Sequence, residues 1–154
     1  MTEKTIRILV DADACPVKDE VVRVAERHKL PVILVSNAWM RGPDHPLVQR
    51  ILVASGPDAA DDKIASEATA ADIVITNDIP LAARCIEAGA RVLRPNGKPI
   101  DKSSVGMAVA MRDLSAHLRE TGEITGGPAA FTPRDRSRFL DTLEAFVQAL
   151  KRGR

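Results

Sequence analysis

The stretch ILVDADACPVKDE, residues 8–20, decides how the chain is read. Its apolar run, part of TIRILVD over residues 5–11, has the β-branched composition of a buried strand. From Pro16 to Leu30 apolar residues fall at Val17, Val21, Val24 and Ala25, the spacing of a helix with one buried face. Pro16 suits the first helical position, where its missing N–H costs nothing, and Asp19 and Glu20 complement the positive helix start. Strand followed directly by helix is the opening of an α/β unit. Between the two stand Asp11 and Asp13, which either close the strand and start the next turn or hold a cation.

Outward from this unit the alternation continues. PVILVS (31–36) predicts a second strand, NAWMRGPDHP (37–46) a turn-rich loop, and RILVAS (50–55) a third strand closed by Gly56-Pro57-Asp58. AADDKIASEATAA (59–71) predicts a helix, DIVIT (72–76) a strand, IPLAARCIEAG (79–89) a helix and RVL (91–93) a short strand. After the turn cluster RPNGKPID (94–101), Ser103 or Ser104 caps a helix whose Met107, Met111, Leu114 and Leu118 share one face, expected in the core. Residues 120–135 read as loop and 136–154 as a last amphipathic helix with a basic end. This order predicts an α/β fold around a mostly parallel sheet, in one domain over residues 1–154 with a C-terminal helical extension from about residue 104.

The 154 residues are 45% hydrophobic and 28% charged, enough apolar material for one real core. Lys and Arg number 22 against 21 Asp and Glu, so any nucleic-acid surface must be local. Cys15 and Cys85 lack CxxC spacing, which argues against a zinc knuckle or a disulfide framework and fits a reducing compartment. The first residues carry too short an apolar run for a signal peptide and no stretch approaches a membrane span, so a soluble cytoplasmic protein is expected.

In a parallel α/β sheet, right-handed crossovers bring helix starts to the rim formed by the strands' carboxyl ends, where ligands bind. Asp11 and Asp13 follow the first strand, Asp61 and Asp62 lie in the first turn of the helix after the third, and Asp78 follows DIVIT. All five belong to that rim. Clustered carboxylates repel unless a countercharge joins them. Oxygen ligands without nearby His or Cys favour Mg²⁺ or Mn²⁺, and such a site hydrolyses phosphodiesters by lowering the pKa of a bound water and clamping the attacking and leaving oxygens. Each acid also has a plain structural reading: Asp13 as a turn residue, Asp61 and Asp62 complementing a helix dipole, Asp78 as a helix cap. Asp61 shares the inward stripe of Ile64 and Ala65, whereas Asp62 is turned about 100° away; both stay candidates.

The segments ILVDADACPVKDE, DAADDKIA, DIVITNDIPLAARC, AMRDL and TGGPAAFTPRDRSRFLDTLE resemble the YaiI/YqxD family of small bacterial proteins over nearly the whole chain. The resemblance implies a PIN-like domain, the three-layer α/β/α fold of metal-dependent ribonucleases with an acidic Mg²⁺ or Mn²⁺ site. It places the strand-end acid at Asp11, the helix acid at Asp61 or Asp62 and the late acid at Asp78 in TND, with Asp13 an additional member. PIN nucleases usually add a central helical glutamate; Glu67 lies too deep in its helix to serve.

Ser36, Asn37, Thr76 and Asn77 flank the same rim and are candidate contacts to substrate or a bound water, though turn roles account for them equally. Cys15, before Pro16, has an N-cap-like position that would lower a thiol pKa. His28, His45 and His117 lack ligand spacing. From Thr132 onward six basic residues face three acidic ones, and Arg134, Arg136 and Arg138 behind TGGPAAF are candidate phosphate contacts. One Trp, three Phe and no Tyr leave few platforms for stacking bases. Three functions compete: a Mg²⁺- or Mn²⁺-dependent nuclease acting on RNA, a non-catalytic RNA-binding or interaction module, and a phosphatase using Asp11 and Asp13 as nucleophile and general acid.

Overall fold

A computed structural model describes residues 5–38, 42–53, 58–120 and 131–153. Among them, β1 (Arg7–Asp11) is followed by a 3-10 turn (Ala12–Ala14) and α1 (Lys18–His28). β2 (Val32–Ser36), β3 (Val48–Leu52), α2 (Ala59–Glu67), β4 (Asp72–Ile75) and α3 (Ile79–Glu87) come next. β5 (Arg91–Leu93), β6 (Pro99–Ile100), α4 (Lys102–Glu120) and α5 (Pro133–Lys151) complete the order. The strands form one sheet in the order β3-β2-β1-β4-β5-β6, parallel except for β6.

Period-two alternation sorts the strand side chains into two cores. Ile8, Val10, Val32, Leu34, Ile73, Ile75 and Leu93 face α1 and α5, while Leu9, Ile33, Val35, Val74 and Val92 face α2 and α3. The central strands are apolar on both faces because helices cover both, giving the expected three-layer α/β/α fold. At the edge, β3 is largely exposed, and its Arg50 donates to the carbonyls of Gly42 (2.6 Å) and Pro43 (2.8 Å).

Several boundaries depart from the sequence reading. Pro16 precedes the helix: the 3-10 turn uses up the residues after Asp11, and Val17 is the N-cap of α1. The third strand is β3 over Val48–Leu52 rather than 50–55, set by its register with β2 (Val32 opposite Val48). Residues 54–57 lie outside the described ones, as do 121–130 of the expected loop. α2 stops at Glu67, before the expected 71, where Thr69 turns back to Asp72. Part of the turn cluster is the strand β6, and α4 starts at Lys102.

The expected methionine and leucine core stripe is a correction: Met107, Met111 and Leu114 are 68%, 52% and 49% exposed. The inward residues of α4 are Val105, Ala108 and Val109. Met107 and Met111 each follow an inward residue by two positions, about 200° around the helix. The side chain of Leu118 lies outside the described residues. By contrast α5, part of the expected extension, inserts fully buried Phe139, Leu143 and Val147 into the core against α1 and β5. It starts at Pro133 rather than at 136, because Thr132 and Asp135, read as loop, form a reciprocal capping box with Pro133 at the first position.

Candidate active site

The chain runs outward from β1 through β2 to β3, then α2 carries it back across the sheet to β4, beside β1. The order reverses between β1 and β4, the switch point at which parallel α/β sheets open a crevice outside the strands' carboxyl ends. The register pairs Val10 with Ile75, so Asp11 and Thr76 are the next residues out on neighbouring strands. Both fall by alternation on the α2–α3 face.

One hydrogen-bonded relay ties this end together. The backbone N–H of Asp78 donates to Thr76 Oγ1 (2.9 Å), and Thr76 Oγ1 donates to Asp11 Oδ2 (2.9 Å). Thr76 is 1% exposed, so its hydroxyl is a fixed part of the framework. Asp78 is also the N-cap of α3, its Oδ1 accepting from the N–H of Leu81 (3.0 Å). The capping reading therefore holds for Asp78, and one oxygen remains outside the cap.

Asp61, in the first turn of α2, lies within hydrogen-bonding reach of Asp78 and close to Asp11. Burial first, then the charges of Asp78 and Asp11, push its carboxyl up to about 6. Burial likewise raises Asp11, helped by the charges of Asp13 and Asp78 and opposed by the Thr76 hydroxyl. Acids far apart in sequence thus share one neighbourhood, where burial and neighbouring negative charge make Asp11 and Asp61 harder to ionise.

The adjacent Asp62 faces elsewhere, its Oδ1 accepting from Arg84 of α3 at 2.8 Å in an exposed ion pair. Asp13 stands on the β2 side, where both carboxylate oxygens accept from the N–H of Asn37 (3.0 and 3.2 Å). It fixes the exit of β2 and adds negative charge near Asp11. Ser36 is buried at the end of β2, Asn37 is half-buried, and Asn77 is exposed between Thr76 and Asp78. Glu67 points to the other end of the sheet, pairing with Arg7 (3.3 Å) and Lys63 (3.1 Å).

No three His, Cys, Asp or Glu side chains among the described residues close into a ready-made metal cage. The donor set at the crevice is nevertheless all oxygen: three carboxylates and a hydroxyl. That set suits Mg²⁺ or Mn²⁺, which take one or two carboxylates and complete their shell with water and substrate phosphate. A cavity of about 500 Å³ lies at the opposite end of β5, lined by Arg91, Val92, Ile100 and Phe146 among others, away from these acids.

Of the candidate phosphate contacts, Arg136 is taken up by structure. It pairs with Glu20, a buried residue of α1, and its guanidinium lies 5.1 Å from the Phe131 ring centroid. Arg134 is exposed, and Arg138 is 3.9 Å from Asp135. The Cys15 expectation is corrected: it is not at a helix start but buried, and burial pushes its thiol up to about 11. His28 bridges Glu144 (2.8 Å) and Lys151 (2.8 Å) on the α1–α5 surface. The sequence reading passed over Arg94 and Lys98, which the β5–β6 turn sets at the same rim. The Asn96-Gly97 dipeptide between two short apolar runs is the hairpin signal that points to them.

Comparison with known proteins is consistent over the whole chain. The profile of a family described as "Uncharacterized BCR, YaiI/YqxD family" matches residues 9–149. A UPF0178 protein of Rhodopseudomonas palustris (strain TIE-1) is 58% identical over 154 residues, covering 100% of this chain and 98% of the relative. A UPF0178 protein of Gluconobacter oxydans (strain 621H) is 56% identical over 149 residues, covering 97% and 85%. These names carry no activity. No solved structure matches the chain. Among the described residues no helix is long and apolar enough to cross a membrane.

Proposed function

The chain belongs to the YaiI/YqxD family, and from the chemistry of its β1–β4 crevice we propose that it is a Mg²⁺- or Mn²⁺-dependent nuclease that hydrolyses phosphodiester bonds of RNA. One observation carries this reading: Asp11, Asp61 and Asp78, from three separate elements, crowd together, and burial with the charge of Asp78 pushes both Asp11 and Asp61 up. Burying like charges side by side is costly, and a shared divalent cation removes the cost. When bound, such an ion lowers the pKa of a water and neutralises charge on the reacting phosphate.

The chain's own residues have distinct tasks. Asp11 would hold the ion, its carboxylate fixed by the Thr76 hydroxyl so that little reorganisation is needed. Asp78 would offer the oxygen its cap leaves over. Asp61 holds a proton up to about 6 in the metal-free protein and would release it to solvent as the ion binds. Asp13 contributes charge and holds Asn37, so that Ser36 and Asn37 shape one wall and Asn77 the other. Asp62, held by Arg84, is outside this set. Arg134 and Arg138 are left to meet backbone phosphates, whereas Arg136 has a structural task.

The reading is tested by cleavage of a labelled single-stranded RNA with Mn²⁺ or Mg²⁺. Activity that needs the ion and is lost in both Asp11→Asn and Asp78→Asn supports it; cleavage surviving both changes overturns it. A second reading, a non-catalytic RNA-binding or interaction module, is favoured by Glu67 facing the other end of the sheet, where it pairs with Arg7. A chain that binds RNA but never cleaves it in Mn²⁺ supports that alternative. The phosphatase reading is weaker, because Asp13, its general acid, has both oxygens engaged by the Asn37 N–H.

A further inference from the structure

The turn joining β5 to β6 places two cations side by side at the acidic rim. The register sets Val92 opposite Ile100 and Leu93 opposite Pro99, and the N–H of Arg94 donates to the Lys98 carbonyl at 3.0 Å. Arg94 and Lys98 are therefore the next cross-strand pair. By alternation they share the face of Val92 and Ile100, the same face that carries Asp11, Thr76 and Asp61.

Like charges directly opposite on paired strands repel. Among the described residues neither side chain has an acidic partner or a side-chain hydrogen bond, and the Nε of Arg94 is buried without an acceptor. A buried donor left unpaired is costly, and so is an unscreened cation pair. Both costs fall when an anion joins them.

The turn is held rigidly in place. Gly97 has φ +88°, and a Cβ there would lie 2.6 Å from the backbone of Arg138 and Phe139, so the turn rests directly on α5. Thr142 Oγ1 donates to the Gly97 carbonyl at 3.0 Å, and Arg138 borders the same turn. Leu93 accepts from the N–H of Thr76 (3.2 Å), which couples the turn's first strand to the Thr76–Asp11 relay.

We propose that Arg94 and Lys98 form the subsite that grips a backbone phosphate of a nucleic-acid strand next to the one at the acids. Two strand spacings, about 10 Å, separate Arg94 from Asp11 along the sheet, which suits a flanking phosphate rather than the reacting one. The subsite deepens the nuclease reading and rests on it for its substrate, but it makes its own contact and leaves its own signature.

The test uses the full chain and a short, hydrolysis-resistant phosphorothioate RNA carrying a fluorophore. Binding is measured by anisotropy over a range of salt, and Mn²⁺ binding by calorimetry. Arg94→Gln and Lys98→Gln should each weaken RNA binding by about three- to tenfold and lower the salt slope by about one, with Mn²⁺ affinity unchanged. Lys98 is exposed, so its variant keeps the test sound if Arg94→Gln disturbs the turn. RNA affinity and salt slope unchanged in Lys98→Gln and in the double variant overturn the subsite, even where Mn²⁺ binds normally. RNA binding that depends on both residues in a protein binding no Mn²⁺ overturns the nuclease reading and supports the phosphate subsite.

Discussion

Asp61 and Asp62 show how much one residue of helical phase decides. Position along α2 placed Asp61 on the inward stripe, and it does face Asp78 and Asp11. What sequence could not reveal was Arg84, 22 positions downstream of Asp62 and its partner at 2.8 Å. Asp61→Asn should raise the thermal midpoint of the metal-free protein near neutral pH. With its folded pKa raised from 3.8 to about 6, Asp61 contributes stability below about pH 4 that is lost as pH rises through about 6. The amide removes that loss; a midpoint unchanged at about pH 8 would contradict the crowding of the acids. Glu144 has the opposite sign. Held down to about 2 by His28, then by Gln148 and Arg27, it contributes stability above about pH 4.5 that is lost as pH falls toward 2. His28→Ala should flatten that acid limb, read from urea unfolding at several pH values. Arg136→Ala should cost about 1–3 kcal/mol, because it strands the buried Glu20, and should leave the salt slope of RNA binding unchanged.

At the scale of elements, strands were read more securely than the pieces beyond them. RVL at 91–93 is β5 to the residue, and PVILVS differs from β2 only at Pro31, because these runs are apolar on both sides. α4 is the element that departs furthest from its sequence pattern. Its Met107, Met111 and Leu114 are correctly spaced for one helix face, but spacing alone does not say whether that face turns inward. The small residues Ala108 and Val109 pack instead, on the side that meets α3. Met107→Lys and Met111→Lys should each change stability by less than about 0.5 kcal/mol, whereas Phe139→Ala in α5 should cost about 3–5 kcal/mol. A large loss in either lysine variant, by chemical denaturation, would contradict this packing. Gly97→Ala should destabilise strongly, since positive φ and the α5 backbone both oppose a side chain there.

For the whole molecule, the alternation of strand and helix announced a parallel sheet but not the strand order. The order is what matters: only because α2 returns the chain to the other side of β1 do Asp11 and Thr76 become neighbours. That return is a tertiary fact, fixed by how both faces of β1 and β4 are buried, and no local pattern records it. The acids were legible as belonging to a rim, their meeting was not, and the cations of the β5–β6 turn were hidden inside a turn signal. The most direct measurement is a calorimetric titration of the full chain with Mn²⁺ at neutral pH, repeated on Asp11→Asn. Saturable binding, with affinity lost in the variant, is the predicted result. No binding at millimolar Mn²⁺, or binding that Asp11→Asn leaves intact, would contradict a shared ion at the β1–β4 crevice.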